Sequence, residues 1–228
     1  MSYKDNITSL GKLNAQTTEV ISYIKTEYEL EHLDYSALSE MLLIKINHRF
    51  ALFDIKTNNL TYITSADEFI GDASFSNDGK SILFSVKNYD QWQIKRYGIA
   101  DQNIASILKG FRYIRPYKKD YIVADEQGNL YFYNNTTQEQ FKLDLRISPE
   151  PNTYWTVRGN FIYWSSHDLV TTTFFELNIS DIKSPVLTEK AFSYNKVRPY
   201  FSITPDGTSL IYSQRERKNS TIISLVIK

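Results

Sequence analysis

The chain has 228 residues, in which 26 Lys and Arg are balanced by 26 Asp and Glu, and it contains no Cys. The balanced charge lacks the basic footprint of a nucleic-acid binder, and the absence of Cys excludes disulfides and thiolate metal sites. No apolar run approaches the roughly 18 residues of a membrane helix, and the N-terminus has no signal-peptide segment, so we expect a cytoplasmic protein or a soluble piece of a longer one.

The first 33 residues carry the weakest pattern. Residues 6–10 are interpreted as a short edge strand. Residues 20–33 fit either a helical face or a strand, and their content of Thr, Tyr and Ile favours the strand. We therefore predict one or more strands, or an extension, over residues 1–33.

From residue 34 onward, short apolar runs recur at a steady interval of about 40 residues, which is typical of propeller blades. The predicted units are residues 34–66, 70–109, 111–146, 153–189 and 197–228. The predicted central strands lie near Leu43, Leu83, Ile122, Ile162 and Ile211. We predict an all-β fold, a single-domain β-propeller of five or six blades of roughly 40 residues. A β-sandwich is the alternative.

The fifth unit ends after three strands. We predict that the N-terminal segment supplies the missing strand and closes the ring, which would remove open sheet edges.

A repeated Asp-Gly turn supports this period. Residues 75–85 contain Asp78-Gly79, and residues 203–213 contain Asp206-Gly207. Asp followed by Gly between β-forming residues indicates a tight turn, because Gly adopts a positive φ without a Cβ clash. The two copies stand about three periods apart, and each is followed by a short apolar run. We predict a strand, a turn and a buried strand at each copy.

No catalytic constellation is found. The three histidines, His32, His48 and His167, do not have metal-ligand spacing. Residues 165–168 contain the residue types of a hydrolase triad, but neighbours on a strand point to opposite faces and cannot converge. There is no phosphate-binding loop and no nucleophile elbow. We predict no catalytic residue, no metal site, no cofactor and no enzymatic activity. Trp92 is interpreted as packing between blades.

One set of residues does suggest binding. Arg115-Pro116-Tyr117 and Arg198-Pro199-Tyr200 precede buried strands two blade periods apart, and Arg158 lies between them. If first strands line the channel, one level of its mouth carries cations, aromatic rings and carboxylates that suit a small anionic ligand or a peptide end. The predicted site comprises Asp34, Asp72, Arg115, Tyr117, Trp155, Arg158, Arg198 and Tyr200. The alternative is that these arginines pair with the aspartates and with carbonyls and fill the axis.

The two Asp-Gly segments resemble the repeat of a known family. Residues 75–85 and 204–215 resemble the TolB-type propeller repeat, in which Ser-Pro-Asp-Gly-Lys precedes a buried strand. Residues 212–222 are similar to the last blade of the C-terminal propeller in ToxR/CadC-like membrane-anchored transcriptional regulators. Ser220-Thr221 stands where that family has an acidic residue.

This resemblance implies a sensing or protein-binding domain that acts from the periplasm. Its winged helix and membrane helix would lie upstream, and the membrane would be reached only through that segment. The ligand or partner is unknown. The alternatives are a hydrolase-type enzyme or enzyme-accessory propeller, a TolB-like structural scaffold, and a cytoplasmic location.

Overall fold

The computed structural model describes residues 8–13, 20–147, 155–167, 171–193, 201–203, 209–215 and 220–226. Within these segments the regular structure is entirely β-strand, so the all-β part of the predicted fold class is confirmed. None of these segments contains a helix long and apolar enough to cross a membrane.

Four sheets contain four strands each, hydrogen-bonded in chain order. The first consists of β3 (Leu30–Ser36), β4 (Met41–Ile46), β5 (Arg49–Asp54) and β6 (Asn59–Tyr62). The second consists of β7 (Phe69–Phe75), β8 (Ser81–Asn88), β9 (Gln91–Gly98) and β10 (Ile104–Lys109). The third consists of β11 (Tyr113–Tyr117), β12 (Asp120–Ala124), β13 (Asn129–Tyr133) and β14 (Gln140–Arg146). The fourth consists of β15 (Trp155–Arg158), β16 (Phe161–His167), β17 (Thr172–Asn178) and β18 (Val186–Ser193).

Two smaller sheets complete the described structure. One pairs β1 (Thr8–Leu13) with β2 (Val20–Thr26), and the other joins β19 (Phe201–Ile203), β20 (Ser209–Arg215) and β21 (Ser220–Val226). The described residues thus contain four complete four-stranded sheets, where the sequence pattern predicts five or six blades. β1 overlaps the predicted edge strand at residues 8–10, and residues 20–33 belong to two strands of different sheets.

The predicted buried strands are the second strands of their sheets. Leu43, Leu83, Ile122 and Ile162 are all buried, as the unbroken apolar runs indicate. Ile211 lies in the second strand of the three-stranded sheet. The first strand of each four-stranded sheet is therefore an edge strand, hydrogen-bonded to the second alone.

The chain divides into two compact units, Met1–Ile114 and Arg115–Lys228, with the boundary inside β11. In the first unit, the sheet β3–β6 packs against the sheet β7–β10. Phe50 and Phe84 meet edge-on, with ring centroids 6.2 Å apart. Burial of each such side chain stabilises the fold by about 1.5–3 kcal/mol. The shared core consists of Leu43, Phe50, Leu52, Ile63, Ala73, Phe75, Ile82, Phe84, Val86 and Tyr97.

The turn between β7 and β8 has the predicted form. Gly79 adopts a φ of 65° and donates its amide to the Ser76 carbonyl over 2.9 Å. Asp78 Oδ1 accepts hydrogen bonds from Ser76 Oγ at 2.6 Å and from the Lys80 amide at 3.0 Å. These donors hold the pKa of the Asp78 carboxyl below its usual range. The second Asp-Gly copy lies outside the described residues.

In the second unit, aromatic contacts join neighbouring sheets. The Tyr117 hydroxyl of the third sheet lies 3.3 Å from the Ile179 carbonyl and 3.2 Å from Asn160 Oδ1, next to the fourth sheet. Phe174 on β17 meets Phe201 on β19 edge-on, with ring centroids 5.6 Å apart. These contacts give each sheet a packed neighbour along the chain.

Candidate functional site

The two predicted anionic residues bind backbone amides of the following sheet. Asp34 on β3 accepts a hydrogen bond from the Phe75 amide on β7, with Oδ2 at 2.9 Å. Asp72 on β7 accepts one from the Ile114 amide on β11, with Oδ2 at 3.4 Å. Each carboxylate thus connects the first strand of one sheet to the first strand of the next. These bonds satisfy backbone donors at edge strands, which is a structural role.

Arg115 makes the corresponding connection in the second unit with the opposite polarity. Its Nε donates to the Trp155 carbonyl on β15 over 3.3 Å. Its guanidinium carbon lies 5.0 Å from the centroid of the Trp155 ring, within the range of a cation–π contact. The structure therefore brings together two residues of the predicted site, a cation and an aromatic ring.

The remaining residues of the predicted site are Tyr117, Arg158, Arg198 and Tyr200. Tyr117 is buried, and its hydroxyl is the one that contacts the fourth sheet. Arg158 is exposed at the end of β15. Arg198 and Tyr200 lie outside the described residues. Binding of a ligand by these residues stays a prediction.

The structure contains a second arginine–tryptophan pair, Arg112 and Trp92, which lies outside the predicted site. Trp92, at the start of β9, is only 3% exposed. The Arg112 guanidinium carbon lies 5.1 Å from the centroid of its ring, and Lys87 Nζ lies 5.5 Å from it. The Phe69 ring is 5.8 Å from it. We call Phe69, Lys87, Trp92 and Arg112 the Trp92 cluster.

Strand register explains why these side chains meet. Phe69 pairs with Lys87 across β7 and β8, and Lys87 pairs with Trp92 across β8 and β9. Directly paired residues project from the same face of a sheet, so the three form a row. The position of Lys87 and Trp92 on either side of a short turn is a sequence signal for this pairing. The approach of Arg112 could not be foreseen in the same way.

Ser85 and Gly71 position the cluster. Ser85 Oγ donates to the Arg112 carbonyl at 2.6 Å and accepts from the Asp72 amide at 2.9 Å. A Cβ atom at Gly71 would lie 2.7 Å from the Trp92 ring, so only Gly permits this close approach. Ser85 is the last residue of the Asp-Gly segment 75–85, so this segment supplies the hydroxyl that holds the backbone of Asp72 and Arg112.

A buried acid lies on the fourth sheet. Glu176 forms an ion pair with Lys190, with Oε1 and Nζ 3.1 Å apart. Burial raises the pKa of the Tyr163 hydroxyl, and the neighbouring Glu176 carboxylate raises it further. Tyr163 therefore stays protonated at neutral pH, and the arrangement is a satisfied polar cluster. Within the described segments, no three His, Asp or Glu side chains are grouped to hold a metal ion.

Comparison with known proteins shows the fold. No model of a protein family matches the chain, and no curated protein matches its sequence. Among solved structures, TolB from Acinetobacter baumannii superposes with a TM-score of 0.73 at 15% identity, over 96% of this chain and 57% of that one. A putative TolB from Agrobacterium tumefaciens gives 0.70 at 12% identity, over 94% of this chain and 83% of that one.

The chain has a TolB-like β-propeller fold. It spans less than two thirds of the Acinetobacter protein. An oligogalacturonate lyase in complex with manganese also superposes, with a TM-score of 0.50 at 12% identity, over 95% of this chain and 53% of that one. At such identities these likenesses describe fold alone. The TolB part of the predicted resemblance is confirmed, and its regulator part stays a prediction.

Proposed function

We propose that this chain is a non-enzymatic sensing or protein-interaction β-propeller that acts in the periplasm as part of a membrane-bound transcriptional regulator. The observation that carries the proposal is the TolB-like fold, which extends over 96% of the chain. The regulator context is supported by the similarity of residues 212–222 to the last blade of ToxR/CadC-like propellers.

A binding role agrees with the residues that meet in the second unit. Arg115 and Trp155 provide a cation fixed against an aromatic ring. Such pairs suit recognition of anions, because the guanidinium stays charged at all physiological pH values and does not serve as a proton shuttle. The likeness to the lyase is one of fold and supports no reaction for this chain.

The number of blades and the closure of the ring are also part of this proposal. We infer a ring of five or six blades, to which β19–β21 and the N-terminal strands β1 and β2 contribute. Removal of residues 1–26 should then lower the melting temperature by about 5 °C or more, as expected for the loss of stabilising strand contacts. An unchanged melting temperature would contradict a closing role for these strands.

The regulator context is tested by the gene. The sequence upstream of Met1 should encode an apolar segment of about 20 residues, preceded by a winged-helix pattern. If neither is present, the chain is not the sensing domain of such a regulator, although the fold and a binding role would stand.

Binding at the predicted site is tested by a thermal-shift screen of small anions and acidic peptides. The wild type should be stabilised by at least one of them, and Arg115→Ala and Arg198→Ala should lose that increment. Because Arg115 also bonds to the Trp155 carbonyl, the readout is the ligand-dependent shift of each variant. Arg96→Ala, at an exposed position of β9, is the control for loss of charge. Retention of the increment by both variants would exclude this site.

A further inference from the structure

The Trp92 cluster contains two buried donors without acceptors. In the part of the chain that the structure describes, Trp92 Nε1 and Arg112 Nε are buried and have no hydrogen-bond partner. Buried N–H groups are normally paired, because water no longer bonds to them. Both donors lie on side chains that are in cation–π contact with each other, and each lacks an acceptor in the described structure.

The Arg112 guanidinium lies close to two aromatic rings. Its central carbon lies 5.1 Å from the Trp92 ring centroid and 5.2 Å from the Tyr113 ring centroid. These contacts use the charge of the guanidinium and supply no acceptor for its N–H groups, two of which a planar oxyanion can bond. The described residues provide no carboxylate in an ion pair with Arg112. The group is thus oriented, charged and without a counter-ion from this part of the chain.

A second cation lies near the Trp92 ring. Lys87 Nζ lies 5.5 Å from the same Trp92 ring, so two cations approach one indole. Lys87 and Arg112 are only half-buried, and Phe69 is 64% exposed beside the ring. The cluster therefore lies at the surface of the first unit, with an apolar wall next to its charges.

We propose that the Trp92 cluster binds an oxyanion, a carboxylate or a phosphate, carried on a molecule with an apolar or aromatic part. The oxyanion accepts hydrogen bonds from Arg112 and Trp92 Nε1 near the Lys87 charge. The apolar part lies against Phe69, whose exposed side chain rotates to admit it. This site is separate from the Arg115 site of the proposed function, so the failure of one does not decide the other.

The test uses four probes with the whole chain: benzoate, phenyl phosphate, inorganic phosphate and neutral benzamide. Ligand-observed saturation-transfer NMR and thermal shift measure binding. We expect benzoate, phenyl phosphate or both to bind, and benzamide to bind at least about tenfold more weakly, the loss expected when one charged contact is removed. Preference between the two anions identifies the source of the oxyanion. Binding of neither anion, or equal binding of benzamide, overturns the proposal.

Variants locate the site. Arg112→Gln should lower the affinity for the anion about tenfold. Arg96→Gln, which removes an equal charge at an exposed position of β9, should leave the affinity unchanged. Inorganic phosphate should compete more weakly than phenyl phosphate, and equal competition would refute the contact with Phe69. If Arg112→Gln does not fold by circular dichroism, Trp92→Phe removes the Nε1 donor and serves instead. Unchanged affinity in the folded variant places the anion elsewhere and overturns the proposal.

Discussion

The two arginine–tryptophan pairs, one in each unit, have similar distances between guanidinium and ring but different surroundings. Arg115 lies 5.0 Å from the Trp155 ring centroid and Arg112 lies 5.1 Å from that of Trp92. Arg115 also bonds through Nε to a backbone carbonyl, whereas Arg112 Nε is buried without an acceptor in the described structure. Contact with an indole ring therefore does not by itself give an arginine its role. Arg115 connects two sheets, and Arg112 has binding capacity that the described contacts leave unused.

The largest expected effect comes from removal of the aromatic partner in the second unit. Trp155 is 1% exposed, so Trp155→Ala should lower the free energy of unfolding by about 3–5 kcal/mol through the cavity and the lost contacts. Urea denaturation followed by circular dichroism measures this loss. A cost below about 0.5 kcal/mol, the level of an ordinary surface change, would show that the pair does not belong to the core of its unit.

The next effect concerns the support of Arg112 in the first unit. Ser85→Ala removes the hydroxyl that bonds to the Arg112 carbonyl and the Asp72 amide. Two part-buried backbone groups would lose a partner, and the expected cost is about 1–3 kcal/mol by urea denaturation. Ser106→Ala, at an exposed position of β10, is the matched control and should cost less than about 0.5 kcal/mol. Equal costs for the two would mean that Ser85 does not fix this backbone.

The arginines themselves give the direct comparison. Arg115→Ala loses a charge-assisted hydrogen bond and a stacking contact, at about 1.5–3 kcal/mol. Arg112→Ala loses stacking without any bond from Nε, at about 0.5–1 kcal/mol. The difference should appear in urea midpoints measured at the same pH and ionic strength. If the two variants are equally destabilised, the carbonyl contact of Arg115 adds nothing and the distinction between the pairs fails.

Much of this comparison could not be predicted from the sequence, for a physical reason. Apolar runs and Asp-Gly turns depend on residues that are close together in the sequence. The buried strands around Leu43 and Leu83 and the turn at Gly79 could therefore be predicted. The period also placed Arg115 and Arg158 at one level, with Trp155 nearby, and the structure brings Arg115 to Trp155 and leaves Arg158 exposed. Whether a side chain meets a carbonyl or an aromatic ring depends on strand register and on neighbouring sheets, which the period does not specify. Arg112 was missed because its contact with Trp92 is of this kind.

The smallest expected effect is the pH dependence of the Asp78 turn, which separates a surface carboxylate from the arginines. The Ser76 hydroxyl, the largest contribution, and the Lys80 amide hold the Asp78 pKa below its usual value. A lowered folded-state pKa stabilises the protein above the unfolded-state value of about 3.9, and the contribution is lost as the pH falls through the folded-state pKa. Asp78 is exposed, so solvent screening limits this contribution to about 0.3 kcal/mol.

The stability difference between the wild type and Asp78→Asn should therefore shrink below about pH 4. The stability difference between Arg115→Ala and Arg112→Ala should not change, because guanidinium groups do not titrate there. Urea denaturation of all four proteins at pH 7 and pH 3 measures both quantities. A pH-dependent difference between the arginine variants would show that a carboxylate, rather than the Trp155 carbonyl, is responsible for the larger effect of Arg115.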